Sequence, residues 1–166
     1  MKANELRQLQ QPLKEKYKEQ PETALVTLTA KSTLGEGITC KVDTGKAIAE
    51  AGLHPATGGD GMALCSGDML LEALAACAGV TLKAVATAIE FDLQDASISA
   101  EGDLDFRGTL GVDKSATVGF QSIRLKIDLE TSEGEERIAS LLKLTERYCV
   151  VYQTLKQVND IAVVRA

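Results

Sequence analysis

Apolar positions recur along this chain with two periods, and the places where one gives way to the other mark its elements. Residues 4–19 carry Leu6, Leu9, Leu13 and Tyr17 near one face of a short amphipathic helix. Pro12 falls inside that run, so either the helix bends there or a second one starts with Pro12 in its first turn. One apolar stripe needs a surface to bury it, and a second subunit is a candidate. From Thr23 the period drops to two. Ala24, Val26, Leu28 and Ala30 alternate with Leu25, Thr27 and Thr29 as in a strand, Gly35-Glu36-Gly37 reads as a turn, and residues 38–42 read as the returning strand. Residues 44–51 fit strand or helix equally well. The glycine-rich run from Gly52 to Gly67 is a loop long enough to suggest a functional one.

A long apolar helix follows, with Ser66 as its cap, Asp68 in its first turn and its end near Ile89. Glu72, Lys83, Thr87 and Glu90 fall within a stripe only about 60° wide at about 100° per residue, so most of the helix surface is available for burial. Residues 94–107 and 120–129 alternate as two strands around a Gly108–Gly119 hairpin loop. Residues 135–148 form a helix with Ile138, Leu141, Leu142 and Leu144 inward, 150–158 a shorter helix, and 161–164 a last strand. This order is an α+β domain in which antiparallel strands pack on a long central helix.

Composition narrows the function classes. The 166 residues are 45% hydrophobic and 25% charged, as in an ordinary globular domain, with a net charge of −6 and no basic run of five or more. Nucleic-acid binding through phosphate neutralisation is therefore not expected. The polar N-terminus does not read as a secretory signal, and Glu72 and Lys83 inside the apolar helix argue for a buried element rather than a membrane span. Cytoplasmic localisation follows as the expectation, with the four cysteines, Cys40, Cys65, Cys77 and Cys149, reduced. No pair of them has C-x-x-C spacing, so no metal site or cofactor is expected. The one histidine, His54, reads as a turn residue before Pro55.

Cys77 has apolar neighbours at helical spacing and points about 140° away from Glu72, well off the polar stripe. By itself this fits a small core side chain, and a reactive thiol there would need a cation from another element. Cys149 stands at the junction of two helices, where free N–H groups would favour a thiolate. The spacing alone does not say that the two cysteines meet.

The run Gly58-Gly59-Asp60-Gly61 and Asp68 to Leu82, containing Ala75-Ala76-Cys77-Ala78-Gly79, resembles the first cysteine motif of the OsmC/Ohr family (osmotically inducible protein C and organic hydroperoxide resistance proteins). The segment around Cys149, with Thr154-Leu155, resembles that family's second motif. The resemblance divides the chain into an N-terminal helical extension, 1–20, and an OsmC-like domain, 21–166. It implies antiparallel sheets around a central helix, an intertwined homodimer, and an organic hydroperoxide reductase active in oxidative stress defence. By that analogy Cys77 is the peroxidatic thiol and Cys149 resolves its sulfenic acid as a disulfide, which an external dithiol, often a lipoylated protein in the family, then reduces.

The chain departs from the family pattern at three positions. It has no arginine between Arg7 and Arg107, Gly67 stands where the family has a glutamate, and Val150 follows Cys149 in place of proline. Arg147 and Asp68 are the candidate replacements for the missing charges, and Cys65 is a candidate extra thiol. These departures motivate an alternative, a non-catalytic relative that binds an apolar small molecule at the dimer interface.

Overall fold

The computed structural model describes residues 3–34, 40–42, 52–62 and 65–157. The predicted turn at 35–37, the ambiguous segment 44–51 and the last strand at 161–164 lie outside those residues. In chain order the elements are α1 (Ala3–Glu19), β1 (Leu25–Leu34), β2 (Cys40–Val42), α2 (Ser66–Ala88), β3 (Leu93–Asp105), the short α3 (Phe106–Thr109), β4 (Ser122–Thr131), α4 (Glu135–Tyr148) and α5 (Val150–Lys156). Single 3₁₀ turns at Pro21–Ala24 and Pro55–Thr57 complete them.

The four strands form one antiparallel sheet in the order β2-β1-β3-β4, with β1 registered against β3 from Leu25↔Asp105 to Thr33↔Ser97 and β3 against β4 from Leu93↔Thr131 to Asp103↔Ser122. Alternation decides which face is covered. Ala96, Ile98, Ala100 and Leu104 of β3 are buried, and Ile123, Leu125, Ile127 and Leu129 of β4 are partly buried against the same core. The opposite face carries a charge ladder in which Lys126 meets Glu101 at 2.6 Å and Arg124 forks onto Asp103.

Helix α2 lies across the covered face of the sheet and also touches α4 and α5. By length and composition it is apolar enough to cross a membrane, but Leu71, Leu74, Ala75, Ala78, Leu82, Val85 and Ala86 are buried in the core of this same chain. Its burial is less complete than the narrow polar stripe suggested, because Leu70 and Val80 remain exposed. The small β3 residues Ala96 and Ala100 are fully or almost fully buried on the face that α2 covers.

Helix α1 is one element with Pro12 inside it, so no second helix starts there. The later part of its apolar stripe is received by its own chain: Leu13 packs on the core, Tyr17 is buried, and the Tyr17 hydroxyl donates to the Ala56 carbonyl at 2.8 Å. Burial pushes the Tyr17 phenol above its ordinary range. At the start of α2 the cap position is Cys65 rather than Ser66. Asp68, three residues on, accepts the Cys65 backbone N–H, the reciprocal half of a capping box.

Candidate functional site

Cys77 sits in the middle of α2, two turns past the buried Leu71, and is half-buried. Cys149 is the single residue between α4 and α5, with extended φ −71° and ψ 107°. It serves both helices. Its N–H donates to the Thr145 carbonyl at 2.9 Å as the last bond of α4, and its own carbonyl accepts from the Gln153 N–H at 2.9 Å as the first bond of α5. Its sulfur caps α5 by accepting the Tyr152 N–H at 3.5 Å. The corner is tied further by Gln153 Nε2 donating to the Glu146 carbonyl at 2.7 Å and by the Tyr152 hydroxyl on Glu146 Oε2 at 3.3 Å. The amphipathic pattern of α4 buries Leu141 and Thr145, and the Thr145 hydroxyl bonds back to the Leu141 carbonyl, so Cys149 is carried inward with no exposed surface.

The fold brings the two thiols within interaction range of each other, 72 positions apart in sequence. Burial, reinforced by the hydrogen bond and charge of Cys77, pushes the Cys149 thiol up to about 11, against the downward pull of the Tyr152 and Val151 N–H groups. The helix-start donors expected from sequence are therefore present, but desolvation outweighs them, and Cys149 holds its proton at neutral pH. Cys65, Cys77 and Cys149 are free thiols. Cys40 lies in β2.

The other sequence candidates lie elsewhere. Arg147 is exposed, its guanidinium 5.4 Å from the centre of the Tyr148 ring, and among the described residues it is not one of the groups acting on the Cys149 thiol. Three further arginines are engaged by carboxylates: Arg107 by Asp105 and Asp113, Arg124 by Asp103 and Glu101, Arg137 by Glu133.

Cys65 and Asp68 belong to the start of α2, roughly 18 and 14 Å of helical rise before Cys77, and face His54 instead. The His54 Nδ1 accepts the Ala56 N–H at 3.0 Å, which puts the neutral ring's proton on Nε2, and the ring stacks on Phe106 with centroids 4.8 Å apart. Burial lowers the His54 pKa and raises that of Asp68, while the attraction between the two works against both shifts. Among the described residues no group of three or more His, Cys, Asp or Glu side chains could hold a metal ion.

Two cavities lie along α2. One, about 370 Å³, is lined by Leu74, Phe120, Ile123, Leu125, Tyr152 and Leu155 together with the polar Gln121, Ser122 and Lys156. It adjoins the thiol pair, since Leu74 lies one turn before Cys77 and Tyr152 caps onto Cys149. The other, about 380 Å³, lies at the start of α2 against Leu53, His54, Cys65, Leu70, Phe106 and Phe120. Sequence reasoning did not single out Tyr152 or Phe120. Tyr152 was legible in principle, standing three residues after a residue at a helix start, whereas Phe120 carried no local signal.

The arrangement defines an α+β protein with a paired-thiol centre where a central helix meets a helix–helix corner. Residues 58–164, a span containing both cysteines, match the family of OsmC-like proteins, and the chain belongs to that family. Among solved structures, the chain is similar in fold to an OsmC-like hydroperoxide resistance protein from Jannaschia sp. CCS1, with a TM-score of 0.60 and 18% identity, covering 83% of this chain and 91% of that one. No curated protein matches the sequence.

Proposed function

We propose that the protein is a cysteine peroxidase that reduces organic hydroperoxides in peroxide defence. The observation that carries this reading is the closeness of two free thiols beside a cavity with an apolar wall of Leu74, Ile123 and Leu125. Accessibility supports a division of roles. Cys77 is half-buried and meets the substrate, while Cys149 has no exposed surface and keeps its proton. The Cys77 sulfur attacks the outer oxygen of ROOH, the O–O bond breaks, and ROH leaves with a proton as Cys77 becomes a sulfenic acid. The Cys149 sulfur then displaces hydroxide from that sulfenic sulfur, and water and a Cys77–Cys149 disulfide form as Cys149 gives up its proton. An external dithiol, for which a lipoylated protein is a suitable candidate, exchanges with the disulfide and becomes oxidised in turn. An alkyl tail gains from leaving water against Leu74, Ile123 and Leu125, which favours organic hydroperoxides over hydrogen peroxide.

The printed name of the Jannaschia protein, hydroperoxide resistance, and membership of the OsmC-like family support the same reading. Further parts of it are a homodimer, a cytoplasmic location that keeps the thiols reduced, a domain of residues 21–166, and an N-terminal extension of residues 1–20. The test is to treat the reduced protein with one equivalent of cumene hydroperoxide and count free thiols. Two of the four should be lost, with the disulfide mapped to Cys77 and Cys149. Retention of all four, with the peroxide unconsumed, rejects the proposal.

One observation favours the alternative of an apolar-ligand carrier: the described arginines that meet carboxylates are held away from the thiols, and Cys149 is protonated. Native mass spectrometry of the purified protein separates the two readings. A retained apolar molecule together with no peroxide turnover selects the carrier.

A further inference from the structure

The two cavities share one wall. Phe120 lines both the cavity beside the thiol pair and the cavity beside His54 and Cys65. It stands just before β4, where the Gln121 N–H donates to the Asp103 carbonyl at 2.9 Å and fixes the backbone against β3. Its ring lies on Gly102, which is buried in β3 in the row of Ala96, Ile98, Ala100 and Leu104. A methyl group at Gly102 would meet two ring carbons at 2.5 Å, so the missing side chain at 102 is the seat of the ring. A bulky side chain supplied by residue 120 thus stands where the sheet offers none, between α2 and β3, with open volume on either side.

The geometry points to Phe120 as the residue that sets how long an apolar tail the thiol centre accepts, with Gly102 as its seat. This rests on the peroxidase reading of Cys77 and Cys149. A hydroperoxide whose O–O group reaches Cys77 lays its tail past Leu74 toward Ile123 and Leu125, and the tail ends at the Phe120 ring. With the ring removed, the tail runs on toward Leu70 and Phe106. Phe120 acts on substrate length, and the chemical step stays with the thiols.

A series of n-alkyl hydroperoxides from six to fourteen carbons tests the inference. In the unsubstituted protein kcat/KM should rise with chain length and then level off. In Phe120→Ala the levelling point should move out by at least two carbons, and in Phe120→Leu by less. Each methylene that gains burial multiplies affinity about fourfold, so the ratio of kcat/KM for the longest to the shortest substrate should rise at least tenfold, carried by KM. A second arm measures n-alkanol binding, from five to ten carbons, by titration calorimetry on Cys77→Ser protein with and without Phe120→Ala. That arm needs no peroxidase chemistry. If no hydroperoxide is turned over, the functional reading fails and the alkanol series alone decides the role of Phe120. An unchanged levelling point in both Phe120 variants, with native circular dichroism, overturns the inference.

Discussion

Helix α2 presents a thiol near each of two different surroundings, and the contrast shows what makes a cysteine chemically useful. At its start Cys65 packs on the core beside a charged pair: Asp68 accepts its N–H, His54 faces Asp68, and the loop around them is stapled by Tyr17 from α1. At its middle Cys77 lies among apolar side chains, and its notable partner is a second sulfur supplied by the α4–α5 corner. The start of the helix has more charge, yet among the described side chains it brings no second thiol to Cys65. The apolar site has two thiols, so an oxidised sulfur there can be captured by its neighbour without help from solvent. Proximity of sulfur to sulfur, rather than a charged setting, separates the two regions.

The widest difference between them should be in turnover. Cys77→Ser should lower hydroperoxide consumption by about a thousandfold or more, since the nucleophile of the covalent step is gone. Cys149→Ser should leave a sulfenic acid that dimedone traps on Cys77. Cys65→Ser should stay within about twofold of the unsubstituted protein, because its surroundings supply no resolving partner. A large loss in Cys65→Ser would break the comparison.

Packing should separate the regions next. Leu141 is fully buried beneath the Cys149 corner, and Leu141→Ala should cost about 2–5 kcal/mol in denaturant unfolding under reducing conditions. Leu70, at the edge of the polar site, is 37% exposed, and Leu70→Ala should cost under about 1 kcal/mol.

The proton held by Cys149 gives a third measurement. With its pKa moved from 9.0 to about 11, the Cys149 thiolate fraction at pH 8 is about a hundredth of that of an ordinary thiol, and alkylation by iodoacetamide should be slowed at least that much. The sign for stability follows. Below pH 9.0 the thiol is protonated in both folded and unfolded chains. Between 9.0 and about 11 the unfolded chain ionises first, so stability should fall as pH rises through that window, and the fall should be smaller in Cys149→Ala.

Two smaller effects probe the polar region. Tyr17→Phe removes the hydroxyl that bonds Ala56 and should cost about 1 kcal/mol. His54 is the single histidine, so its proton NMR titration is unambiguous. Its midpoint should lie below 6.5, and Asp68→Asn should lower it further by removing the charge that favours the imidazolium. A midpoint above 6.5 would mean that the Asp68 charge outweighs burial.

Local periodicity determined most of the element order. The helix over 135–148 has the bounds its apolar spacing predicts, α2 ends within a residue of expectation, and the alternation of Ala96, Ile98 and Ala100 with polar neighbours marks the covered face of the sheet. These are decided by residues near in sequence, where each side chain's direction follows from a fixed repeat. The cap of α2 fell outside that reach, because Ser66 and Cys65 are adjacent and only the backbone angles at Cys65 distinguish them. So did the destination of the α1 stripe, which depends on Tyr17 meeting a carbonyl 39 residues away.

For the site, the two cysteines and the helix junction at 149 were legible, the first through a family resemblance and the second through periodicity. Their meeting was not, since a separation of 72 positions leaves no local rule to relate them. Nor was the balance at Cys149: sequence placed helix N–H groups beside the sulfur, and only the depth of packing around Leu141 and Thr145 made desolvation the stronger influence. A repeat along the chain reports which way a side chain points. How much water it loses, and what it touches there, depends on distant segments, and those are brought together only when the sheet and helices close over one another.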